Sequence, residues 1–517
     1  NAGAQDPLAE YGIANVKTSS TDKDASSAFL KYADFSHYAD YFNGMEDENI
    51  VQAIPNAKAS EWMEENIPLF ECPQHNFEEM YYYRWWSLRK HIKETPVGYG
   101  MTEFLVQRSY SDKYNLIACA IGHHIYESRW LRDPKYLDQI IHTWYRGNDG
   151  GPMKKMDKFS SWNADAVLAR YMVDGDKDYL LDMKKDLETE YQRWERTNRL
   201  KNGLYWQGDV QDGMEESISG GRRKKYARPT INSYMYGNAK ALSCIGILSG
   251  DEGMAMKYGM RADTLKNLVE NELWNTRHQF FETMRTDSSA NVREAIGYIP
   301  WYFNLPDTTQ KYEIAWKEIM DEKGFSAPYG LTTAERRHPE FRTRGVGKCE
   351  WDGAIWPFAS AQTLTAMANF MNNYPQTVLS DSVYFRQMEL YVESQYHRGR
   401  PYIGEYLDEV TGYWLKGDQE RSRYYNHSTF NDLIITGLIG LRPRLDNTIE
   451  VNPLIPADKW DWFCLDNVLY HGHNLTILWD KNGDRYHCGK GLRIFVDGKE
   501  VGQANTLTKI VCENALK

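Results

Sequence analysis

The stretch SYMYGNAKALSCIGILSGDEGMAMKYGMRADTLKNLVENELW, residues 233–274, carries two helices of opposite character joined at one turn. Its first half is rich in Ala, Gly and Ser, with apolar residues nearly all round, as an internal helix requires. Its second half is charged and amphipathic, with a single apolar stripe. Between them Gly250, Asp251 and Glu252 supply a helix stop and an Asp N-cap. The pattern predicts an inner and an outer helix folded into a hairpin.

The same alternation recurs along the chain. Periods near 3.6 run through 77–94, 113–131, 135–147, 164–175, 178–197, 294–304, 310–320, 356–374, 382–398 and 428–440. The 356–371 segment is of the inner kind and 178–197 of the outer kind. Arg132-Asp133-Pro134 and Gly175-Asp176-Lys177 repeat the Asp-capped turn. Repeated inner-outer hairpins imply a closed helical toroid, and six would make an (α/α)6 barrel. At Pro443 the period changes to two, with Gly, Asn and Asp turns and a hairpin cue at Asp497-Gly498. The expected fold is therefore mainly α: an arm over 1–56 that wraps the barrel, a catalytic (α/α)6 barrel over 57–442, and a small antiparallel β-domain over 443–517.

Composition narrows the function. The net charge of −11 argues against nucleic acid, which needs clustered Lys and Arg, and the basic run RRKK at 222–225 reads as a solvated loop. No window reaches the 18 or so consecutive apolar residues of a membrane helix. The 17 Trp and 36 Tyr exceed what a core needs and suit a cleft that stacks sugar faces. Seven scattered cysteines without a C-x-x-C pair signal neither zinc nor a disulfide framework, and most read as buried free thiols. No metal or other cofactor is implied. The opening NAGAQDPLAE lacks an initiator Met, which suggests a removed signal segment and an extracytoplasmic location, periplasmic or secreted.

Four loops break the helical pattern with conspicuous residues: WNAD at 162–165, YWQGDVQDGMEESISGG at 205–221, CEWDGAIWP at 349–357, and the long segment 402–428. The second packs Asp209, Asp212, Glu215 and Glu216 between Trp206 and paired glycines, and the last holds Glu405 in a Gly-bounded hairpin. Glycoside hydrolysis needs one carboxylic acid to protonate the leaving oxygen and one carboxylate to activate water or attack the sugar. Glu215 and Glu405, on different loops, fit that pair.

These loops also carry a resemblance. DGMEES at 212–217 resembles the G-M/W/L-D element that holds the acid in glycoside hydrolase family 63 and the inverting trehalases. GEYLDEVTG at 404–412 is similar to their E-Y-x-D-P-x-T-G element, which holds the base. CEWDGAIWPF at 349–358 resembles their substrate-binding Trp motif, and YYNHSTFNDLIITGLIGLRP at 424–443 resembles the stretch after the base. The likeness spans most of 60–442 and is greatest to the mannosylglycerate-hydrolase-type branch. It implies Glu215 as acid, Glu405 as base, and inversion of configuration. The chain departs from the pattern with Glu215 in place of Asp and Glu409 in place of Pro. Because Glu reaches one methylene further, Asp212 and Glu216 are reserve proton donors.

The remaining candidates follow from residue type. Trp206, Trp351, Trp356 and Trp162 are expected to wall the sugar and Asp352 to bind its hydroxyls. His124 and Arg129, on a helix that also bears His123, are expected to reach the pocket. Tyr425 and His427 follow the base closely enough to touch the sugar. Arg84 and Arg89, with Trp85 and Trp86, would suit an anionic substrate. ECPQ at 71–74 resembles an element of α-L-rhamnosidases, but His75 and Asn76 replace the acids that should follow. Two alternatives stay open. One is an epimerase or lyase built on His123, His124 and His427, and the other a glycan-binding protein without catalysis.

Overall fold

The computed structural model describes residues 29–517. Of the expected arm, residues 1–28 lie outside the described residues. The rest forms a mainly helical body with a C-terminal antiparallel sheet.

The hairpin of 233–274 is built as its residues dictate. The helix Pro229–Leu248 opens with Pro at its first turn and buries every residue to Gly246 except Lys240. Its partner Glu252–Leu268 buries Met254, Tyr258, Ala262 and Leu265, one stripe at helical spacing. Asp251 caps the second helix by accepting from the Met254 N–H at 3.0 Å. Gly246 lets the two backbones touch, since a Cβ there would stand 2.6 Å from the Ala255 nitrogen. A second inner helix, Asn163–Asp174, ends at Gly175 in the left-handed region (φ 70°). Asp176 then caps the next helix through Tyr179 N–H at 3.0 Å. A third, Pro357–Asn373, is buried along its length and followed by Asp381–Ser394.

Four expected helices are altered. The segment 113–131 is α-helical only over Ile121–Ser128. Tyr114 and Asn115 take positive φ (63° and 62°), because the Asn115 amide donates to the Phe104 and Val106 carbonyls at 3.1 and 3.2 Å. Those non-local bonds override local helix preference. The segment near 294–304 begins as a 3₁₀ turn, Ala295–Tyr298, and continues as a single α-helical turn, Ile299–Tyr302; the segment 310–320 is 3₁₀ over Glu313–Ile319. The segment 428–440 widens into a π-helical turn at Leu433–Leu438.

The C-terminal sheet has strand order Leu69–Glu71, Trp462–Tyr470, His473–Asp480, Gly491–Val496, Lys499–Ala504, all antiparallel. Asp497-Gly498 turns its last hairpin with φ of 50° and 80°, and His471-Gly472 another with 49° and 79°. The edge strand Leu69–Glu71 comes from the helical half of the chain and pairs with Cys464–Asp466. Asp466 also accepts from the Phe29 and Leu30 N–H groups at 3.1 and 2.9 Å. Trp460 wedges between two helices of the body, 5.2 Å from the Phe77 ring and 5.5 Å from Phe385. The helix Ser36–Asn43 lies on the helix His75–Lys90, with Tyr38 stacked on Tyr82 at 5.1 Å. Five of the seven cysteines are buried, and all seven are free. Among the described residues no helix is long and apolar enough to cross a membrane.

Candidate active site

The acidic loop is anchored by a two-residue ladder, Trp206–Gln207 against Tyr226–Ala227. Inside it Asp212 forms a closed ion pair. Its Oδ2 accepts from Arg228 Nε and Thr230 Oγ1, both at 2.6 Å, and Ser160 donates to Oδ1. With Asp212 and Arg228 both fully enclosed, this pair organises the loop and leaves Asp212 committed to structure. Gly213 follows at φ 69° against Cys119. Met214 is buried and its N–H donates to the Asp209 carbonyl at 2.9 Å. Glu216 takes φ 67°, a conformation rare for a side chain this long. Its carboxylate points to Arg222 (3.9 Å) and Lys348 (3.7 Å), both exposed.

Between these anchored neighbours, burial pushes the Glu215 carboxyl up to about 7, with the Glu405 and Asp209 charges acting in the same direction. Asp209, buried with Oδ1 unpartnered, is raised as well, first by burial and against the pull of Arg228.

The Glu405 hairpin is equally constrained. Gly404 is wedged against Tyr402 and Trp414, where a Cβ would approach within 2.7 and 2.8 Å. Asp408 closes the turn by accepting from Val410 and Thr411 N–H at 2.9 and 2.8 Å. Leu407 exchanges two backbone bonds of 3.0 Å with Ile355, which ties this hairpin to the tryptophan loop. Arg342 reinforces the tie: it pairs with Glu409, with Asp408 at 3.4 Å and with Glu350 at 2.9 Å. Glu409, where the family pattern has Pro, thus has a structural partner. Glu405 itself is buried, and its Oε2 lies 3.5 Å from the Lys416 ammonium, which also sits 5.1 Å over the Tyr406 ring.

The expected sugar-binding residues divide. Trp351 stacks on Trp356 at 4.5 Å and Trp356 on Tyr406 at 4.5 Å, each pair inclined by 21°. The two tryptophans thus spend ring faces on one another beside Glu405 instead of forming an open sandwich. Tyr425 is buried, and burial first, then the charges of Glu103 and Glu405, raise its hydroxyl well above the ordinary range. His427 packs under it at 3.9 Å. Trp206 lies on the anchoring ladder under Lys225, whose Nζ is 4.7 Å from its ring.

Asp352 is enclosed and fastens a turn, accepting from Arg344 and Gly345 N–H at 2.7 and 3.0 Å. Trp162 is fully buried, bonded to the Tyr302 hydroxyl and packed over Gly122, so it is interior structure. Arg129 is taken by Asp432 at 2.7 Å, and His124 by the Asn426 carbonyl at 2.7 Å. Burial drives His124 down to about 4 and His123 to about 3, and His427 well below its ordinary value. Arg84 bonds Gln395 and Ser428, and Arg89 bonds Ile54 and Asn56, so these arginines hold the frame.

Sequence reasoning missed Glu103, Tyr110, Lys416 and Tyr406. Tyr406 stands in the GEYLDEVTG element and could have been flagged there; Glu103, Tyr110 and Lys416 stand in no recognisable motif. Glu103 is buried, and the charges of Glu405 and Glu215 reach it. Tyr110 feels Glu103 and Glu405, and Cys349 feels Glu215 and Glu405 while burial pushes its thiol up to about 12. A separate cleft of about 570 Å³ is lined by Glu46, Tyr83, Arg400, Tyr402, Arg423 and Tyr424 among others, and neither Glu215 nor Glu405 borders it. Among the described residues no group of three or more His, Cys, Asp or Glu could hold a metal ion.

Comparison with known proteins matches residues 113–428 to the family model of the mannosylglycerate hydrolase MGH1-like glycoside hydrolase domain. Residues 441–502 match the C-terminal domain of glycosyl hydrolase family 65. A solved structure named sialidase is 95% identical over 96% of this chain, with a TM-score of 0.95; the chain spans 46% of its length. A GH63 mannosylglycerate hydrolase from Thermus thermophilus, solved with glucose, shares the fold at 13% identity and a TM-score of 0.51. The likeness covers 69% of this chain and 99% of that one. A GH78 family rhamnosidase of Bacillus sp. GL1 reaches a TM-score of 0.59 at 10% identity, over 83% of this chain and 41% of its own. The rhamnosidase likeness set aside at ECPQ thus returns at the level of fold.

Proposed function

This chain belongs to the mannosylglycerate hydrolase MGH1-like glycoside hydrolase family, and from that premise we propose that it cleaves a terminal sugar from a glycoside or oligosaccharide with inversion. Glu215 is the general acid and Glu405 the general base. The observation that carries the assignment is the contrast between the two carboxyls. Burial holds a proton on Glu215 up to about 7, whereas Glu405 has the Lys416 ammonium at 3.5 Å, a cation beside the group that must act as an anion. A protonated donor on one loop and a carboxylate with a cation beside it on another are what acid-base hydrolysis of a glycoside requires. The inner-outer hairpins support a six-hairpin (α/α)6 toroid, with the acid and base loops at its mouth.

The reaction begins with Glu215 donating its proton to the leaving oxygen as the C–O bond breaks. Glu405 takes a proton from a water on the opposite face of the sugar, and that water's oxygen forms the new bond. The Trp351, Trp356 and Tyr406 stack and Tyr425 bound the space beside the base.

The test is a panel of aryl glycosides and plant and host oligosaccharides, with proton NMR of the first-formed anomer. Release of a sugar with inverted configuration, lost in both Glu215→Gln and Glu405→Gln, is the expected result. Retained configuration, or full activity in either variant, would overturn it. No release from any member by wild-type protein that still binds sugar would favour the glycan-binding alternative. The epimerase reading has little support, since His123 and His124 are buried and held by the Phe358 and Asn426 carbonyls.

The name of the longer relative suggests a second reading, cleavage of an anionic terminal sugar, and Lys416 in the cleft is the observation in its favour. Against it, such a sugar's carboxylate would enter beside Glu215, Glu405 and Glu103. Including a sialoside in the panel separates the two.

A further inference from the structure

The second cleft, of about 570 Å³, is of a size that holds small molecules, which occupy pockets of about 300–1,000 Å³. It shares a wall with the base hairpin without reaching the base. Tyr402, three residues before Glu405, and Gly417, the residue after Lys416, both line it. The Tyr402 hydroxyl donates to the Gly417 carbonyl at 3.3 Å, and its ring packs edge-on against Trp414 at 5.3 Å. Another part of the lining is a two-stranded hairpin, Tyr396–His397 against Arg400–Pro401. Its turn residues Arg398 and Gly399 take φ of 52° and 75°. A two-residue turn with both φ positive ordinarily carries Asn-Gly, so an arginine is held there against backbone preference.

Arg398, Arg400 and Arg423 line this cleft with two carboxylates, Glu46 and Asp418, and both carboxylates are already spent. Glu46 pairs with Arg423 and accepts from the Tyr424 hydroxyl. Asp418 accepts from Arg398 and from the Tyr413 hydroxyl, both at 2.8 Å, with His397 Nε2 at 3.6 Å. Arg400 is the cation left over. Its Nη1 donates to the Met45 carbonyl at 2.6 Å, and among the described residues it has no carboxylate partner. Four of its five N–H donors are uncommitted there. In a chain of net charge −11, the cleft thus presents a surplus cation whose planar fork suits an oxyanion through two parallel N–H bonds. Tyr83, Tyr402 and Tyr424 supply the aromatic part of its lining.

We propose that this cleft is a second carbohydrate site, apart from the acid-base pair, which holds an acidic sugar unit by pairing Arg400 with its carboxylate or sulfate group. That the oxyanion belongs to a sugar rests on the chain's membership of a glycoside hydrolase family. The site itself stands whichever carboxyls perform the hydrolysis.

Equilibrium titrations test this, using a neutral, a uronate and a sulfated oligosaccharide of equal length that the protein does not cleave. An acidic member should bind more tightly than the neutral one. Arg400→Ala should weaken the acidic ligand roughly tenfold, the effect of losing a charge-assisted pair, and leave the neutral one unchanged. Arg400→Lys, which keeps the charge and loses the fork, should fall between. Tight binding of the uronate alone assigns a carboxylate, and of the sulfated member alone a sulfate. Unchanged acidic binding in Arg400→Ala, equal affinity for the neutral member, or no binding of any member overturns the proposal. Binding of inorganic sulfate with no oligosaccharide bound would leave an anion site only and overturn the carbohydrate assignment. Lys416→Ala should bind the acidic member as wild type does; a loss equal to that of Arg400→Ala would move the acidic unit to the catalytic cleft and overturn the proposal. Arg400→Ala should hydrolyse an aryl glycoside at the wild-type rate. Full activity in Glu405→Gln would instead sink the acid-base assignment, which is a different failure. Melting curves confirm that folded variants are compared.

Discussion

Gly213 lies so close to Cys119 that a Cβ on the glycine would stand 2.4 Å from the cysteine sulfur. The glycine also has φ of 69°, so space and backbone both demand it, two residues before the proposed acid. Gly213→Ala should therefore cost about 1–3 kcal/mol and move Glu215. Adding Cys119→Ala should relieve the clash but not the backbone strain. A double-mutant cycle from denaturant melts should accordingly show partial rescue, and strict additivity would contradict the contact.

Glu215 links activity to stability. Its carboxyl binds a proton more tightly in the folded chain, at about 7 against an ordinary 4.5. Between those values the folded state holds protons the unfolded state has lost, so the stabilising contribution is full below 4.5 and declines as pH rises toward 7. Above 7 the charged, half-buried group is a burden. Glu215→Gln should then be more stable than wild type at pH 8 by on the order of 2–3 kcal/mol and nearly equal to it at about pH 4. In wild type kcat/KM should fall on the alkaline side with a midpoint near 7. An alkaline limb several units higher would count against Glu215 as the acid.

Asp212 serves as a control for the neighbouring acid. Removing its charge leaves Arg228 enclosed without its partner at 2.6 Å, and breaking such a pair costs about 3–5 kcal/mol. Asp212→Asn should lower the melting temperature sharply yet keep turnover at a temperature where it remains folded. Complete inactivity of well-folded Asp212→Asn would transfer the acid role to this residue.

Arg342 joins Glu350 on the tryptophan loop to Asp408 and Glu409 on the base hairpin. Arg342→Met should loosen one loop from the other and also lower the melting temperature, because Glu350 and Glu409 stay buried without their cation. A misplaced base and sugar wall should reduce kcat/KM by roughly tenfold to a hundredfold. Steady-state kinetics beside a thermal melt would distinguish this from general destabilisation.

How far the sequence could be read depended on how local each determinant is. Asp176 and Asp251 cap their helices as their turns predict, because a cap is settled within four residues. The helix expected over 113–131 broke at Tyr114 and Asn115, where carbonyls from Phe104 and Val106 decide the backbone. The acidic loop and the Glu405 hairpin were legible because Gly, Trp and carboxylates are an unusual mixture outside helices. Trp162, Arg129 and His124 are residue types a sugar site favours, but the pairing of Arg129 with Asp432 is set by residues 303 positions apart. Glu103 was invisible for the opposite reason: MTEFLVQ is ordinary, and only the bonds from Asn426 to the Thr102 and Glu103 carbonyls give that segment a setting.

The pairing of Leu69–Glu71 with Cys464–Asp466 also bears on how the molecule is assembled. That edge strand leaves the ribosome long before its partner exists, and waits through the synthesis of the entire helical body. Its open edge is protected only when the strand Trp462–Tyr470 arrives. A protein cut after Pro443 would expose that edge together with the apolar seat of Trp460 between Phe77 and Phe385, and would tend to aggregate. The strand pairing and the Trp460 wedge thus fasten the sheet to the helical body.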